Sequence, residues 1–466
     1  MNKERKVATI WHALIPIVIL VASLAIAILV YEADPHIPLI IGSIAAGLVG
    51  VFGLGFTWDD LEKNAINTIS MAMQACLILM VVGSLIGTWL LGGTVPAMIY
   101  YGLNILSPGI FLIATCVICS IVAAATGSSW TTAGTIGVAL IGVGTGLGIP
   151  VPLCAGAIVS GAYFGDKMSP LSDTTNLAPA MAGSTLFEHI KYMFYTTTPS
   201  LIIALVLYGI IGAKYAGEEM NLENIAMIQG ALSESFNLSP LVLLPPVIVI
   251  TIVVLKVPAI PGLICGAILG GITAAIFQGA NLGDIINAAH YGFEGATGVE
   301  AVDELISGGG LDSMLWTVSL ILLAMVFGGI MEHTGMLNAL ASLILKMAVN
   351  TGSLVVATML TSLLINILAA DQYLSIVIPG RMYKDVYDER GLEPRLLSRT
   401  LEDAGTLTSA LVPWNTCGAF MSTALGVSTF AYAPYAFLNL VNPIVAAVEA
   451  FLGIGIVDPN KKKKAA

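Results

Sequence analysis

Polar side chains interrupt apolar stretches of the sequence at four places, and their types and spacing suit the binding of a small ion. In the first half of the chain these places are 126–132, with the order Thr-Gly-Ser-Ser-Trp-Thr-Thr, and 166–176, which carries two aspartates. In the second half they are 366–372 and 403–416. Carboxylate, hydroxyl, amide and backbone carbonyl oxygens are the ligands that hard cations prefer, and the sequence offers no Cys/His cluster for a transition metal. The four segments therefore predict a site for a small hard cation.

Three aspartates, Asp173, Asp371 and Asp403, are the candidates for groups that titrate and bind the cation. Desolvation in an apolar segment disfavours the ionised form of a carboxyl group, so such a group can hold either a proton or a sodium ion. That competition is enough to couple the two ions in exchange. Asp166 is a further acidic candidate, for which pairing with the neighbouring Lys167 is an alternative structural role. The remaining candidates would supply neutral oxygens or hold the ends of broken helices: Ser128, Ser129, Ser172, Thr175, Asn176, Asn366, Asn415 and Thr416.

The composition places these segments in a membrane protein. Of the 466 residues, 57% are hydrophobic and 10% are charged, whereas a soluble domain carries roughly a quarter charged residues. This excludes an ordinary soluble enzyme, a disordered protein and a coiled coil. The 49 glycines suit close helix packing and broken helices in a bilayer. The net charge is −11, but in a membrane protein the placement of charges matters more than their sum.

The two halves of the chain share an order of motifs that indicates an internal repeat. Segment 38–42 matches 258–262, and the Asp-containing segment 56–61 recurs as 280–285. The polar interruptions then follow in the same order in each half. The predicted division is a cytoplasmic N-terminus at 1–9, a first repeat at 10–215, an extracytoplasmic linker at 216–237, a second repeat at 238–457 and a basic cytoplasmic tail at 458–466.

Basic residues set the predicted orientation. Lys3, Arg5 and Lys6 place the N-terminus in the cytoplasm, and the lysines at 461–464 place the C-terminus there as well. The acidic linker lies outside, so each half crosses the membrane an odd number of times and the repeats are inverted. The loop at 380–399, with five Arg or Lys residues, falls inside on the same count.

The predicted fold is an all-α membrane protein with about ten transmembrane helices and two re-entrant hairpins, in two inverted-topology repeats with broken helices. The hairpins are placed at 108–147 and 352–379, because their arms are short and their tips are polar. Two separate spans at each place would leave the parity unchanged, and the sequence does not decide between these alternatives.

Three segments resemble the NhaC-type sodium/proton antiporter family of the ion transporter superfamily, which also contains a malate/lactate antiporter. They are 125–132, 161–176, with the string Gly-Asp-Lys-Met-Ser-Pro-Leu-Ser-Asp-Thr-Thr-Asn, and 403–416. The resemblance implies a bacterial inner-membrane exchanger with inverted repeats, paired hairpins and broken helices, assembled as a homodimer. It does not fix the substrate, because the family includes both inorganic-ion and organic-acid exchangers.

The sequence thus predicts a secondary active transporter that exchanges Na⁺ for H⁺ across a bacterial plasma membrane by alternating access. It predicts contact with membrane lipid, no nucleic-acid partner and no cofactor beyond the transported ions. The alternative is Na⁺/H⁺-coupled exchange of a small organic acid, of the malate/lactate type, in which Lys167 or Arg381 would help to bind the carboxylate. Paired inverted hairpins favour a transporter over a channel. A membrane enzyme is not expected, since the sequence has no nucleophile–base pair.

Overall fold

The structure, a computed structural model, describes residues 5–31, 33–216, 222–255 and 257–456. Helices make up 81% of it, and within those four ranges there is no β-strand. Eight of the described helices are long and apolar enough to cross a membrane, and two bent helix pairs bring the number to ten. This confirms the predicted all-α membrane fold of about ten spans.

The predicted orientation of the chain depends largely on residues outside the described ranges. These are Lys3, the linker acids Glu218 and Glu219, and the lysines at 461–464. Of the N-terminal basic residues, Arg5 and Lys6 are described, and the guanidinium of Arg5 forms an ion pair with Asp60 at 2.7 Å. The cytoplasmic position of both termini stays a prediction.

The first half of the chain contains ten α-helices. One π-helical turn, Val49–Leu54, extends α2, and another, Ala133–Gly137, joins α6 to α7 without a loop. The helices are α1 (Ile10–Tyr31), α2 (His36–Leu48), α3 (Trp58–Leu91), α4 (Thr94–Ile105), α5 (Pro108–Thr126), α6 (Ser129–Thr132), α7 (Val138–Gly146), α8 (Val151–Met168), α9 (Asp173–Ala182) and α10 (Leu186–Ala216).

The second half contains fourteen described α-helices, the first of which occupies much of the predicted linker. A π-helical turn, Glu402–Thr406, joins α20 to α21. The helices are α11 (Leu222–Ser235), α12 (Leu244–Val254), α13 (Ala259–Phe277), α14 (Leu282–Tyr291), α15 (Glu300–Ile306), α16 (Leu315–His333), α17 (Met336–Leu345), α18 (Thr351–Leu368), α19 (Leu374–Glu389), α20 (Pro394–Leu401), α21 (Leu407–Ser409), α22 (Thr416–Leu425), α23 (Thr429–Tyr432) and α24 (Phe437–Leu452).

The matching motifs of the two halves fold into matching helix starts. Before α3, the hydroxyl of Thr57 and the carboxylate of Asp60 form a reciprocal cap on the first turn. Before α14, Asn281 and Asp284 form the same reciprocal cap. Such a cap satisfies backbone N–H groups that have no partner inside the helix. The division into two repeats stays a prediction.

Each half also contains a helix–turn–helix hairpin at a predicted position. In the first, α5 ends at Thr126 and the chain turns at Gly127, whose φ of +71° lies in the left-handed region. A Cβ atom on Gly127 would lie 2.6 Å from the Cβ of Leu171. Both the turn and this close approach therefore require glycine.

The second hairpin turns without a glycine. Its first arm, α18, ends at Leu368, and Ala370 takes a φ of +56° before α19 begins. A positive φ is unusual for a residue that carries a Cβ atom. Whether each hairpin re-enters or crosses the membrane stays a prediction, since α5 and α18 are both long enough to span.

A broken helix follows each hairpin. Segment 169–172 separates α8 from α9, segment 410–415 separates α21 from α22, and each contains a proline. The Oγ atom of Ser172 accepts a hydrogen bond from a backbone N–H in the first turn of α9. The Oδ1 atom of Asn415 does the same for α22. Both breaks thus restart a helix on a capping residue, as expected where polar segments interrupt a span.

Candidate functional site

A cavity of about 470 Å³ lies where the two hairpin tips and the two broken helices meet. One face of α3 closes it, with Met71, Gln74 and Ile78 spaced as neighbours along a helix. Seven of the predicted site residues line it: Ser128, Ser129, Asp166, Ser172, Asp173, Asp371 and Thr416. Five others do not: Thr175, Asn176, Asn366, Asp403 and Asn415.

Asp166 lies near the end of α8 and contacts the start of the second arm of the first hairpin. Its Oδ2 atom accepts a hydrogen bond from the backbone N–H of Ser129 at 3.0 Å and another from the Ser129 hydroxyl at 2.6 Å. Its side chain is 7% exposed. The carboxylate is therefore positioned by the opening N–H of a helix, where negative charge is favoured, and still borders the cavity.

Asp371 lies at the tip of the second hairpin, between α18 and α19. Its Oδ1 atom accepts a hydrogen bond from the backbone N–H of Leu374, at the start of α19, at 2.9 Å. The phenol of the next residue but one, Tyr373, donates to Oδ2 of Asp173 at 3.4 Å. Asp173, the first residue of α9, is exposed to the cavity. The three aspartates, which we term the cavity cluster, thus join both halves of the chain.

The neutral polar residues of the first half close the break between α8 and α9. The hydroxyl of Thr175 donates to the carbonyl oxygen of Lys167 at 3.0 Å, and Asn176 Nδ2 donates to that of Pro170 at 2.9 Å. At the hairpin tip, Ser128 Oγ accepts from the backbone N–H of Thr131 at 3.1 Å. These contacts satisfy backbone groups freed by the break, a role that the sequence analysis gave as one of two alternatives.

The asparagines of the second half fasten its hairpin to its break. Asn366 Nδ2 donates to the carbonyl oxygen of Gly405 at 2.7 Å, and Asn415 Nδ2 donates to that of Asn366 at 3.1 Å. The backbone N–H of Thr416 donates to the carbonyl oxygen of Ala370 at 2.9 Å. Of these predicted residues, Thr416 reaches the cavity, while the two asparagines lie behind it.

Asp403 lies away from the cavity, with no exposed surface. Its Oδ1 atom accepts hydrogen bonds from the ammonium of Lys167, the hydroxyl of Thr196 at 2.9 Å and Nδ2 of Asn442 at 2.8 Å. Its Oδ2 atom is 3.4 Å from Nε of Arg399. The suggested pairing of Asp166 with Lys167 is therefore wrong, because adjacent residues on a helix point roughly 100° apart. Binding of a cation by Asp403 stays a prediction.

Sequence reasoning missed most of the charges around Asp403. Arg399, assigned to the cytoplasmic loop, is fully buried and also contacts Glu449, with Nη1 3.4 Å from Oε2. Glu402 is fully buried as well. One signal was available in the sequence: Arg399, Glu402 and Asp403 follow one another within a predicted span. Arg399 and Asp403 are four residues apart, a spacing at which two side chains on a helix can form an ion pair. We term Lys167, Arg399, Glu402, Asp403 and Glu449 the ion-pair cluster.

The two clusters differ in the charge that they present. The charged residues that line the cavity are all aspartates, so the cavity attracts cations. Within the described ranges, no three His, Cys, Asp or Glu side chains form a group that could hold a metal ion. The three aspartates of the cavity therefore do not all meet at one point. A cation there would combine at most two carboxylates with hydroxyl or carbonyl oxygens.

The chain matches the model of the Na⁺/H⁺ antiporter family over residues 161–454. It is 40% identical over 452 residues to the Na⁺/H⁺ antiporter NhaC of Alkalihalophilus pseudofirmus, covering 97% of each chain. It is 40% identical over 444 residues to the arginine/ornithine antiporter ArcD of Halobacterium salinarum, covering 95% of this chain and 92% of the relative.

A third relative is the malate-2H⁺/Na⁺-lactate antiporter of Bacillus subtilis. It is 38% identical over 451 residues, which cover 97% of this chain and 96% of the relative. The matches extend over almost the whole length of each relative and include both hairpins and both broken helices. The protein is thus a multi-pass membrane protein, and the chain belongs to the Na⁺/H⁺ antiporter family.

Proposed function

We propose that the protein exchanges Na⁺ for H⁺ across a bacterial plasma membrane by alternating access. The observation that carries this proposal is the cavity cluster: Asp166, Asp173 and Asp371 line one cavity formed by both hairpin tips. Polar interruptions at matching positions of two repeats are typical of the substrate site in secondary transporters. The family membership supports the same function.

The exchange follows from competition for the same carboxyl groups. An aspartate in the cavity binds either a proton or a sodium ion, because each neutralises a charge that is costly in an apolar setting. The hydroxyl of Ser129, already bonded to Asp166, and the carbonyl oxygens freed at the breaks would complete the ligands of the cation. Proton release on one side of the membrane and Na⁺ release on the other would then give antiport.

The cavity supports a cation more than an organic acid. Lys167, which a carboxylate substrate would need, is fully buried and bonded to Asp403. Arg381 is exposed and is not among the residues that line the cavity. A malate or lactate carboxylate would therefore meet three aspartates and no basic partner in this conformation.

A second candidate function is the exchange of an organic cation, and the size of the cavity favours it. The volume of about 470 Å³ falls within the range of small-molecule pockets, roughly 300–1,000 Å³. It is much larger than one sodium ion requires. A basic amino acid, of the kind named for the relative in Halobacterium salinarum, has the charge and the size to enter.

Transport by purified protein in proteoliposomes distinguishes these functions. Under an imposed pH gradient, we expect Na⁺ to drive proton movement that a pH-sensitive dye reports, and Asp173→Asn to remove it. Labelled malate, lactate, arginine and ornithine should give no uptake, either with or without Na⁺. Uptake of a labelled organic ion without any Na⁺-driven proton movement would overturn the proposal.

The position of the termini and the oligomeric state complete the proposal. We infer cytoplasmic termini from the basic residues and a homodimer from the family resemblance. Labelling of single cysteines added at each end, with a reagent that does not cross the membrane, tests the first. Crosslinking in native membranes tests the second, and a monomer at all crosslinker concentrations would contradict it.

A further inference from the structure

Glu402 is a buried acid that the proposed exchange does not use. It opens the π-helical turn Glu402–Thr406, has no exposed surface, and neither carboxylate oxygen has a hydrogen-bond partner among the described residues. The next residue, Asp403, receives three hydrogen bonds on one oxygen alone. An ionised carboxylate without donors is strongly disfavoured in such surroundings. Glu402 therefore needs a proton or a cation.

The charge balance of the ion-pair cluster leads to the same result. The cluster contains two bases, Lys167 and Arg399, and three acids. Lys167 pairs with Asp403, and Arg399 contacts both Asp403 and Glu449. Two positive charges thus face two paired carboxylates, and Glu402 is the acid left over. The cluster is neutral when it holds one additional positive charge.

Glu402 is the member of the ion-pair cluster that lies next to cavity residues. Its charged neighbours are Lys167 and the cavity residue Asp166, and the hydroxyls of Thr406 and Thr174 face its carboxylate without completing a hydrogen bond. Thr174 also lines the cavity. A proton that leaves Glu402 therefore has polar groups on the way to the aspartates where the cation binds.

The other helices packed against this turn add few titratable groups. α18 and α21 contain none. The charged residues of α19 from 381 to 389 are exposed, whereas its tyrosines Tyr383 and Tyr387 are buried. The remaining charged groups on the helices packed against the turn are Asp166 and Lys167 from α8, Asp173 from α9, Arg395 and Arg399 from α20, and Glu449 from α24. Of these, Arg395 lies outside the two clusters and pairs with Glu393. α8 also carries the buried Cys154 and Tyr163.

We propose that Glu402 is a separate proton-carrying residue of the exchange cycle, which releases its proton through the cavity when Na⁺ binds to the aspartates. The step is an acid dissociation: the O–H bond of the carboxylic acid breaks, its electron pair stays on the carboxylate, and the proton passes through the cavity to bulk water. The Na⁺ bound at the aspartates then supplies the positive charge that the proton took away. Reprotonation on the opposite side completes the cycle. The inference rests on the proposed function and adds one proton per cycle to those exchanged at the cavity cluster.

Proton counting on the purified protein tests this inference. Na⁺ is added to the detergent-solubilised protein in weak buffer, and a pH dye reports the protons released per bound Na⁺. We expect Glu402→Gln to release about one proton fewer than the wild type. The matched control is Glu389→Gln, which changes an exposed acid on α19 and should release the wild-type number.

The outcomes separate the two proposals. If Na⁺ releases no proton from the wild type, the proposed function fails. If the wild type releases protons and folded Glu402→Gln releases the same number, the role of Glu402 is overturned. If Glu402→Gln does not fold, Glu402→Asp decides: the shorter side chain should shift the pH of half-maximal release, and an unchanged pH profile overturns the inference.

Discussion

The cavity cluster and the ion-pair cluster both place aspartates inside apolar helices, yet they hold them in different ways. In the cavity, Asp166 and Asp371 are held by backbone N–H groups and one hydroxyl, which position a carboxylate without neutralising it. In the ion-pair cluster, Asp403 contacts two bases and has no exposed surface. The difference separates acids that can exchange a bound ion from an acid whose charge is already matched.

The largest effect is expected from Asp403→Asn, which leaves Lys167 with an amide in place of its carboxylate. Breaking one side of a buried ion pair costs about 3–5 kcal/mol, because the remaining charge is unmatched. We expect low expression and a lower melting temperature in detergent. Thermal unfolding, followed by tryptophan fluorescence or by a thiol-reactive fluorescent dye, measures the change in melting temperature.

A paired replacement sharpens this expectation. Lys167→Met combined with Asp403→Leu removes both charges, and apolar replacements of both partners are often tolerated better than either single change. The double variant should therefore be more stable than Asp403→Asn. Equal instability of both would show that the pair is not the source of the loss.

The second largest effect is expected from Asp371→Asn, on transport and not on stability. Loss of a charged ligand that contributes about 3 kcal/mol to binding the ion is expected to slow exchange by roughly a hundredfold. The asparagine oxygen can still accept the hydrogen bond from Leu374, so the fold should persist. Na⁺-driven proton movement in everted vesicles measures the rate, and gel filtration checks the fold. A folded variant with wild-type exchange would contradict the division into two clusters.

A smaller effect is expected from Ser129→Ala. The change removes the hydroxyl that donates to Asp166 at 2.6 Å but keeps the backbone N–H at 3.0 Å. We expect roughly a tenfold weaker apparent affinity for Na⁺, corresponding to about 1.4 kcal/mol. The Na⁺ concentration for half-maximal exchange measures it, and Ser129→Thr, which retains a hydroxyl, should lose less.

The smallest effect on transport is expected from Asp303→Asn, in the loop region between α14 and α16. Asp303 Oδ1 accepts hydrogen bonds from the N–H and hydroxyl of Thr297, the same pattern that Ser129 presents to Asp166. Here the bonds from Thr297 hold the pKa of Asp303 below its ordinary value. Exchange should match the wild type, since this acid lies far from the cavity in the chain and outside the spans.

The same variant has a pH dependence with a defined sign. Because the pKa of Asp303 is lower in the folded protein, its stabilising contribution is present above the ordinary pKa of about 3.9. It is lost as the pH falls through the lower value of the folded state. The melting temperatures of wild type and Asp303→Asn should therefore converge on acidification from about pH 7 to pH 3. A constant difference would contradict this.

The sequence was sufficient to locate the hairpin tips and the breaks. Thr126, Gly127 and Ser128 interrupt an apolar run with residues that end and restart helices, and Ser172 and Asn415 carry cap signals of their own. These are local properties, readable from neighbours in the chain. The approximate span count follows from the lengths of the apolar runs between these signals.

The partners of Asp403 could not be read from the sequence, since they depend on which side of each helix a residue faces. Lys167 lies next to Asp166 in the chain yet bonds to an acid in the other half of the protein. Arg399 follows a run of cytoplasmic basic residues, which hid its burial. Glu402 and Asp403 are adjacent in the chain but face different sides of the helix. Asp403 has hydrogen-bond partners, whereas neither Glu402 oxygen has one among the described residues.

The Lys167–Asp403 ion pair can form only late in biosynthesis. The two residues are 236 positions apart, so the ribosome needs roughly 10–50 seconds to reach the second after the first. During that time the ammonium of Lys167 sits in a half-made membrane protein without its acid, an arrangement that lipid tolerates poorly. A truncated first half should therefore be a substrate for membrane quality-control proteases, and co-expression of the second half should protect it.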